Sequence, residues 1–337
     1  MQSSCRRTAR KRKTPSKYRS DVSARRLRAA YFGSSDFSVP SLEALAREHD
    51  IVAVCSQPDK PAGRRLRLTA TPVSALAHER GWPLFKPVSI DREFVSMLAA
   101  RNIDLLACAS YGKILPASCL SVPKLAALNV HPSMLPRYRG ATPIQSAVRD
   151  GCESTGVTVF WMTTQMDAGD IAAAIGVPIE PADNFGSLHD KLAVIGAQLL
   201  LESAGALADD RLPRMPQDEA GATYTKPLRK EDLRLRFDQP ARAAVDQVRS
   251  LSPRPGAWMP FGEKRLKVLA AETLERLPEK APGGQGFEAK PGTIVSDEQR
   301  GIFVATAPGA ILLTSVLLEG KAAMSGRELA RGSRAQA

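Results

Sequence analysis

The chain reads as an α/β protein with a mostly parallel sheet, followed by a smaller β-barrel domain. Three observations predict this. From about residue 27 to 203, apolar runs of strand length alternate with amphipathic helical stretches, a βαβ rhythm that places helices on both faces of a parallel sheet. Beyond residue 231 the pattern changes, after one helical segment at 239–250, to short strands separated by turns, as in small barrels. At 337 residues the chain also exceeds the usual size of one hydrophobic core, so two domains are expected.

The elements follow in order. "LRAAYF" (27–32), closed by Gly33, is a buried strand, and "SVPSLEALAREHD" carries Leu42, Leu45 and Ala46 on one helical face. "DIVAVCS" is the second strand, and the loop "QPDKPAGRRLRLTATP" leads from it to helices at about 72–80 and 91–101. "IDLLACAS" (103–110) and "ALNV" are the next strands, and "TPIQSAVRDG" is helical. "TGVTVFWM" (155–162), the turn "TTQMDAGD" and the strand "IAAAIGVPI" precede a helix at 187–203 with Leu188, Leu192, Ile195 and Leu199 at helical spacing. Residues 206–231 lose periodicity and gather Pro, Gly and charge, which reads as an interdomain linker. "RLKVLAAETL" and "PGTIVSDEQRGIFVATAPGAILLTSVLL" then supply the barrel strands. The expected organisation is a basic tail over 1–27, a catalytic domain over 28–205, the linker over 206–231 and a second domain over 232–337.

Charge and cysteine usage narrow the class. Of a net +12, residues 1–28 contribute eleven Lys or Arg against one acid, Asp21, while the rest holds 36 basic and 34 acidic residues. The body is therefore nearly balanced. The Arg- and Ser-rich tail leaves three readings open: a transit peptide, a disordered tail with weak nucleic-acid affinity, and an upstream start codon. Five cysteines without a CxxC pair favour a reducing compartment, with no disulfide framework and no structural zinc. No apolar run is expected to cross a bilayer, which needs about 20 residues.

The chemistry concentrates in "LNVHPSMLPRYRGATPIQSAV" (128–148). Asn129 and His131, one of only four histidines, are two apart on a strand and project from the same face. They stand at a carboxyl end, where open α/β sheets bind ligands. Pro132 and Pro136 restrict the residues before them to extended backbone. A carboxamide and an imidazole so placed can both donate to one developing oxyanion, although a strand-end histidine is more often simply capped. Asp167 and Asp170 in the turn "MDAGD" are candidate partners, and a turn aspartate is more often a backbone cap than a catalyst. Spacing alone stops at an α/β enzyme of acyl or one-carbon transfer.

"NVHPSMLPRYRGATPIQ" resembles the signature of the folate-dependent formyltransferases, and its longer "RYRGATPIQSAV" form is similar to members that act on aminoacyl-tRNA. "FGSSDFSVPSLEAL", "QPDKPAGR", "ASYGKILP", "GVTVFWMTTQMDAGDI", "TYTKP", "PGTIV" and "GKAAMSGRELARG" extend the resemblance over nearly the whole chain from Arg28. It implies a Rossmann-like first domain and an OB-like barrel. It also implies formyl transfer from 10-formyltetrahydrofolate to the α-amine of initiator Met-tRNA, with no metal. Asn129 and His131 would stabilise the oxyanion. Asp167 would orient His131 and help take the proton of the attacking amine. The folate site would include Ser133, Met134, Leu135 and Pro136, with the backbone of Tyr111, Gly112, Lys113, Ile114 and Leu115.

Arg64, Arg65 and Arg67, on the loop after the second strand, would meet the tRNA acceptor end, with Arg64 at the position of the family's recognition arginine. A merely solvated loop is the competing reading. "KPLRK" and "EKRLK" add cations able to contact phosphate. Ser34 and Ser35, Met134, Arg65 and Arg254 depart from the family pattern without touching the Asn/His/Asp set. A monomer in a bacterial-type cytoplasm is expected, with organelle import through the tail left open. Two rivals stand beside this reading: a formyltransferase for an amino-sugar nucleotide or glycinamide ribonucleotide, and an RNA-binding protein that kept the fold but lost activity.

Overall fold

A computed structural model describes residues 25–62, 67–278 and 289–333. In chain order the elements are β1 (Arg28–Gly33), α1 (Val39–Glu48), β2 (Asp50–Cys55), β3 (Lys60–Ala62), β4 (Arg67–Thr69), α2 (Pro72–Glu79), β5 (Leu84–Phe85), α3 (Arg92–Ala99), β6 (Leu105–Ala109), α4 (Ala117–Leu120), β7 (Ala126–His131), β8 (Arg139–Gly140), α5 (Pro143–Arg149), β9 (Ser154–Trp161), β10 (Ile171–Pro178) and α6 (Phe185–Ala208). There follow β11 (Tyr224–Thr225), α7 (Ala241–Leu251), β12 (Ala257–Phe261), β13 (Lys264–Leu274), β14 (Ile294–Asp297), β15 (Gly301–Ala305), β16 (Ala310–Leu318), β17 (Ala323–Ser325) and α8 (Gly326–Ser333).

The first sheet has the order β10-β9-β7-β6-β1-β2-β5. β7, β6, β1, β2 and β5 run parallel, and the β9–β10 hairpin closes one side antiparallel. From β1 the chain builds outward through β2 to β5, then returns to place β6 on the other side of β1. This reversal opens a crevice at the carboxyl ends of β1 and β6, the usual ligand position in such sheets. Strand alternation feeds two cores: Tyr31, Leu128 and Val130 pack with α1, α5 and α6, while Ala30, Phe32, Leu106 and Ala127 pack with α3 and α4. Asn129 and His131 share the parity of Ala127, so they lie on the second face beyond the reach of its apolar cluster.

Helix α6 is longer than its sequence periodicity predicts: a capping box at Asn184 and Ser187 starts it at Phe185, and it runs on to Ala208. It is also long and apolar enough to cross a membrane, contrary to expectation, but half of its apolar window is buried against the rest of the domain. The barrel domain is a curled six-stranded antiparallel sheet in the order β12-β13-β16-β15-β14, with β17 beside β16. Its core includes Val248, Leu251, Leu266, Val268, Ile311 and Leu313. The two halves dock through α7: Arg249 donates to the Asp183 and Glu180 carbonyls at 2.8 and 2.9 Å, and the Gly186 amide donates to the Ser252 carbonyl at 3.0 Å.

Candidate active site

The site begins at the end of β7. Asn129 is 9% and His131 5% exposed, and β6 and β9 pair with both sides of the strand. Among the described residues no group takes up the Asn129 carboxamide, which leaves its donors available to a ligand. His131 is fixed differently. Its Nε2 lies 2.9 Å from the Tyr138 carbonyl oxygen, and a carbonyl can only accept, so Nε2 carries a hydrogen. The free nitrogen, Nδ1, stands 3.7 Å from Asp167 Oδ2. That separation exceeds a direct hydrogen bond but is too short for an intervening water, so a water or substrate amine shared by the two groups would lie beside them.

Asp167 lies in the turn between β9 and β10 at φ +52, a region that few residues other than glycine occupy. Its Oδ2 accepts the Gly140 amide at 2.7 Å. Gly140 itself has φ +108, and a Cβ there would overlap the Thr225 carbonyl oxygen, so only glycine brings this amide to the carboxylate. The segment after α6 completes the enclosure. Met215 exchanges backbone bonds with Ile171, the Pro213 carbonyl accepts from Trp161 Nε1, and β11 pairs with β8. Thr223 Oγ1 accepts the Tyr138 amide at 2.8 Å, and Thr225 Oγ1 accepts the Thr142 amide at 3.0 Å. Residues read as a linker thus line the loop that holds Asp167.

The turn after His131 is stitched by buried Ser133, whose hydroxyl donates to the Arg137 carbonyl at 2.7 Å and whose carbonyl accepts from Thr158 Oγ1 at 2.7 Å. Leu135 is buried, Pro136 half-buried and Met134 exposed. After the neighbouring strand β6, the Tyr111 carbonyl accepts from Ser34 Oγ and Gln57 Nε2, each at 3.2 Å. Ser34, a departure from the family pattern, thus ties β1 to the 111–115 segment. In that segment Tyr111 and Leu115 are buried, while Gly112 and Ile114 are exposed and Lys113 half-buried. The stretch read as a loop after β2 contains the ribbon β3–β4, with Arg67 exposed on β4, whereas Arg64 and Arg65 lie outside the described residues. Among the described residues no group of three or more His, Cys, Asp or Glu is placed to hold a metal.

The structure therefore brings together Asn129 and His131 on one strand face and sets Asp167 opposite the histidine. Sequence reasoning missed Tyr138 as the acceptor for His131, Gly140 as the donor to Asp167, and residues 213–225 as part of the enclosure. Tyr138 and Gly140 lay inside the "RYRG" motif, whereas residues 213–225 carry no periodic signal.

The family model described as formyl transferase matches residues 27–204, and that for the formyl transferase C-terminal domain matches 227–334. Over 296 residues the chain is 38% identical to the methionyl-tRNA formyltransferase of Staphylococcus aureus (strain MW2), covering 87% of this chain and 92% of that protein. The fold is similar to an N-formyltransferase from Helicobacter canadensis crystallised with folinic acid and dTDP-3-aminofucose, with TM-score 0.62, 15% identity, and coverage of 85% of this chain and 97% of that one. It is also similar to HypX from Aquifex aeolicus in complex with tetrahydrofolic acid, with TM-score 0.57, 16% identity, and coverage of 90% of this chain and 47% of that one.

Proposed function

The chain belongs to the formyl transferase family and is a formyltransferase, and from that premise we propose that it transfers the formyl group of 10-formyltetrahydrofolate to the methionine α-amine of initiator Met-tRNA. The observation that carries the reading is the Asp167 carboxylate set 3.7 Å from His131 Nδ1. Asn129, on the same strand face as His131, has its carboxamide unengaged. This arrangement suits acyl transfer to an amine. Kinship with methionyl-tRNA formyltransferases over most of the chain favours that acceptor over a sugar nucleotide.

The unprotonated amine attacks the formyl carbon, and the carbonyl oxygen gains the negative charge. The Asn129 carboxamide donates to that oxygen, and His131 donates through Nδ1 when the ring carries both protons. A preorganised donor of this kind is worth about 3 kcal/mol, roughly a hundredfold in rate. Asp167 receives the amine proton, directly or through a water beside it. Collapse of the intermediate breaks the bond from the formyl carbon to the folate nitrogen, which takes up a proton as it leaves. Ser133 to Pro136 and the backbone of 111–115 follow the adjacent strands β7 and β6 at their carboxyl ends, where the pterin binds. Arg64, Arg65 and Arg67, in the segment of the sequence after β2, meet the acceptor end of the tRNA, and the domain over 232–337 holds it by its phosphates. The three reacting groups come from one chain, so a monomer suffices, working in the bacterial-type cytoplasm.

The test is incubation of the full chain with 10-formyltetrahydrofolate and a mixture of charged tRNAs. Formylation confined to initiator Met-tRNA is expected. Formylation of an amino-sugar nucleotide or of glycinamide ribonucleotide in its place overturns the reading.

A further inference from the structure

Asp167 holds an unfavourable backbone conformation, φ +52, which costs about 1 kcal/mol or more and persists only where surrounding contacts over-determine it. The Gly140 amide grips the side chain, but the backbone of the turn is held from elsewhere. Gln217 Nε2 donates to the carbonyl oxygens of both Asp167, at 2.9 Å, and Gly169, at 2.7 Å. One carboxamide thus clamps the turn on either side of Ala168.

That carboxamide is itself keyed. Gln217 Oε1 accepts from Arg139 Nε at 3.1 Å and from an Arg139 terminal nitrogen at 2.8 Å. A guanidinium only donates, so the oxygen must face it and the amino group must face the turn. Arg139 is fully buried and makes five side-chain bonds. Two go to Gln217, two to the Glu219 carboxylate at 2.6 and 2.9 Å, and one to the Tyr224 hydroxyl at 3.0 Å. Five bonds to four acceptor oxygens leave the guanidinium no alternative orientation. The chain runs from Glu219 through Arg139 and Gln217 to the turn bearing Asp167.

We propose that Gln217 is a positioning residue for formyl transfer: keyed by Arg139, it sets the Asp167 carboxylate against His131 Nδ1. The inference rests on the proposed role of Asp167 as proton acceptor. The Gln217 carboxamide is taken up by Arg139, Asp167 and Gly169, so its removal is expected to act on turnover through Asp167 rather than on substrate binding.

The test compares formylation rates of the full chain for wild type, Gln217→Ala, Gln217→Glu, Asp167→Ala and the Gln217→Ala/Asp167→Ala double variant, with thermal melts alongside. Gln217→Glu keeps the shape and the oxygen facing Arg139 but turns a second oxygen toward the two carbonyls, so it serves where the alanine variant does not fold. Expected are a tenfold or greater fall in kcat for either Gln217 variant, and KM for both substrates within about twofold of wild type. In the Asp167→Ala background the Gln217→Ala change adds no further loss, because the group it positions is gone. A folded variant with kcat within twofold of wild type overturns the proposal, and so does the same tenfold loss repeated without Asp167. Wild-type inactivity on Met-tRNA would instead overturn the functional reading on which the proposal rests.

Discussion

The Gly140 amide donates to Asp167 Oδ2 at 2.7 Å, and the same oxygen is the one 3.7 Å from His131 Nδ1. A backbone donor on the loop following the strand-end motif thus meets a carboxylate from a turn 27 residues further on. The contact depends on a glycine in the left-handed region, pressed against the Thr225 carbonyl.

Gly140→Ala is therefore expected to damage both stability and turnover. The added methyl group meets backbone rather than a side chain that can swing away, and φ +108 is strained for any L-residue. A loss of about 2 kcal/mol or more in urea unfolding is expected. Any folded fraction should turn over slowly, because the Asp167 carboxylate has lost its backbone donor.

Asp167→Asn separates charge from shape. The asparagine oxygen can still accept from Gly140, but the carboxylate that takes the amine proton is gone. Asn129→Ala removes an oxyanion donor while leaving β7 paired on both sides. Each change is expected to lower kcat about a hundredfold or more, with the melting temperature within a few degrees of wild type. Near-normal kcat in either variant would refute the role given to that residue.

The contrast between Asn129 and Gln217 shows where reading the sequence stopped. Asn129 and His131 could be placed on one face because strand periodicity is local, and Pro132 marked the strand's end. The βαβ order of the first domain was legible for the same reason. Asp167 could not be tied to His131 by spacing, since nothing local links residues 36 apart in the chain; resemblance made that link. Gln217 was invisible, because its partners Arg139 and Asp167 lie 78 and 50 residues away and its own segment has no period. Short pairings such as β5 and the β3–β4 ribbon were missed because tertiary contacts, not composition, define strands of two or three residues.

Asn184→Ala tests the start of the central helix. The Asn184 side chain accepts the Ser187 amide and the Ser187 hydroxyl accepts the Asn184 amide, each at 3.1 Å. Losing the side-chain half of this box should cost about 1 kcal/mol in thermal or urea unfolding. Formyl transfer at a temperature where the variant stays folded should be unchanged, because α6 packs on the sheet face opposite to that of Asn129 and His131.

Arg249→Ala tests the seam between the two halves. Besides its two carbonyl partners across the seam, Arg249 donates to buried Asp246 at 2.7 Å. Removing it leaves that carboxylate to Arg242 alone and deletes both bridging bonds. A loss of about 3 kcal/mol is expected, read as a lower urea midpoint. A shift no larger than that of an exposed arginine changed to alanine would show that the seam is held by its apolar contacts instead.

His49 sets a pH dependence of stability that is independent of catalysis. It is buried at the end of α1, where its Nδ1 accepts the Leu27 amide at 3.2 Å. Burial holds its pKa below the ordinary 6.5, outweighing the nearby carboxylates Glu48 and Asp50, which favour the charged ring, while Arg26 acts with burial. Protonating Nδ1 would also cancel the bond from Leu27. Between the ordinary value and the depressed one, the unfolded chain binds a proton that the folded chain does not, so stability falls as pH falls through that window. The contribution is fully present above pH about 6.5, declines with a slope of at most about 1.4 kcal/mol per pH unit, and levels off below the folded-state value. His49→Gln offers an oxygen to the Leu27 amide and does not titrate. Urea unfolding of the two proteins at pH 7.5, 6.5 and 5.5 should show the wild type losing stability toward acid faster than the variant. Parallel curves would mean that His49 takes up its proton as readily in the folded chain as in the unfolded one.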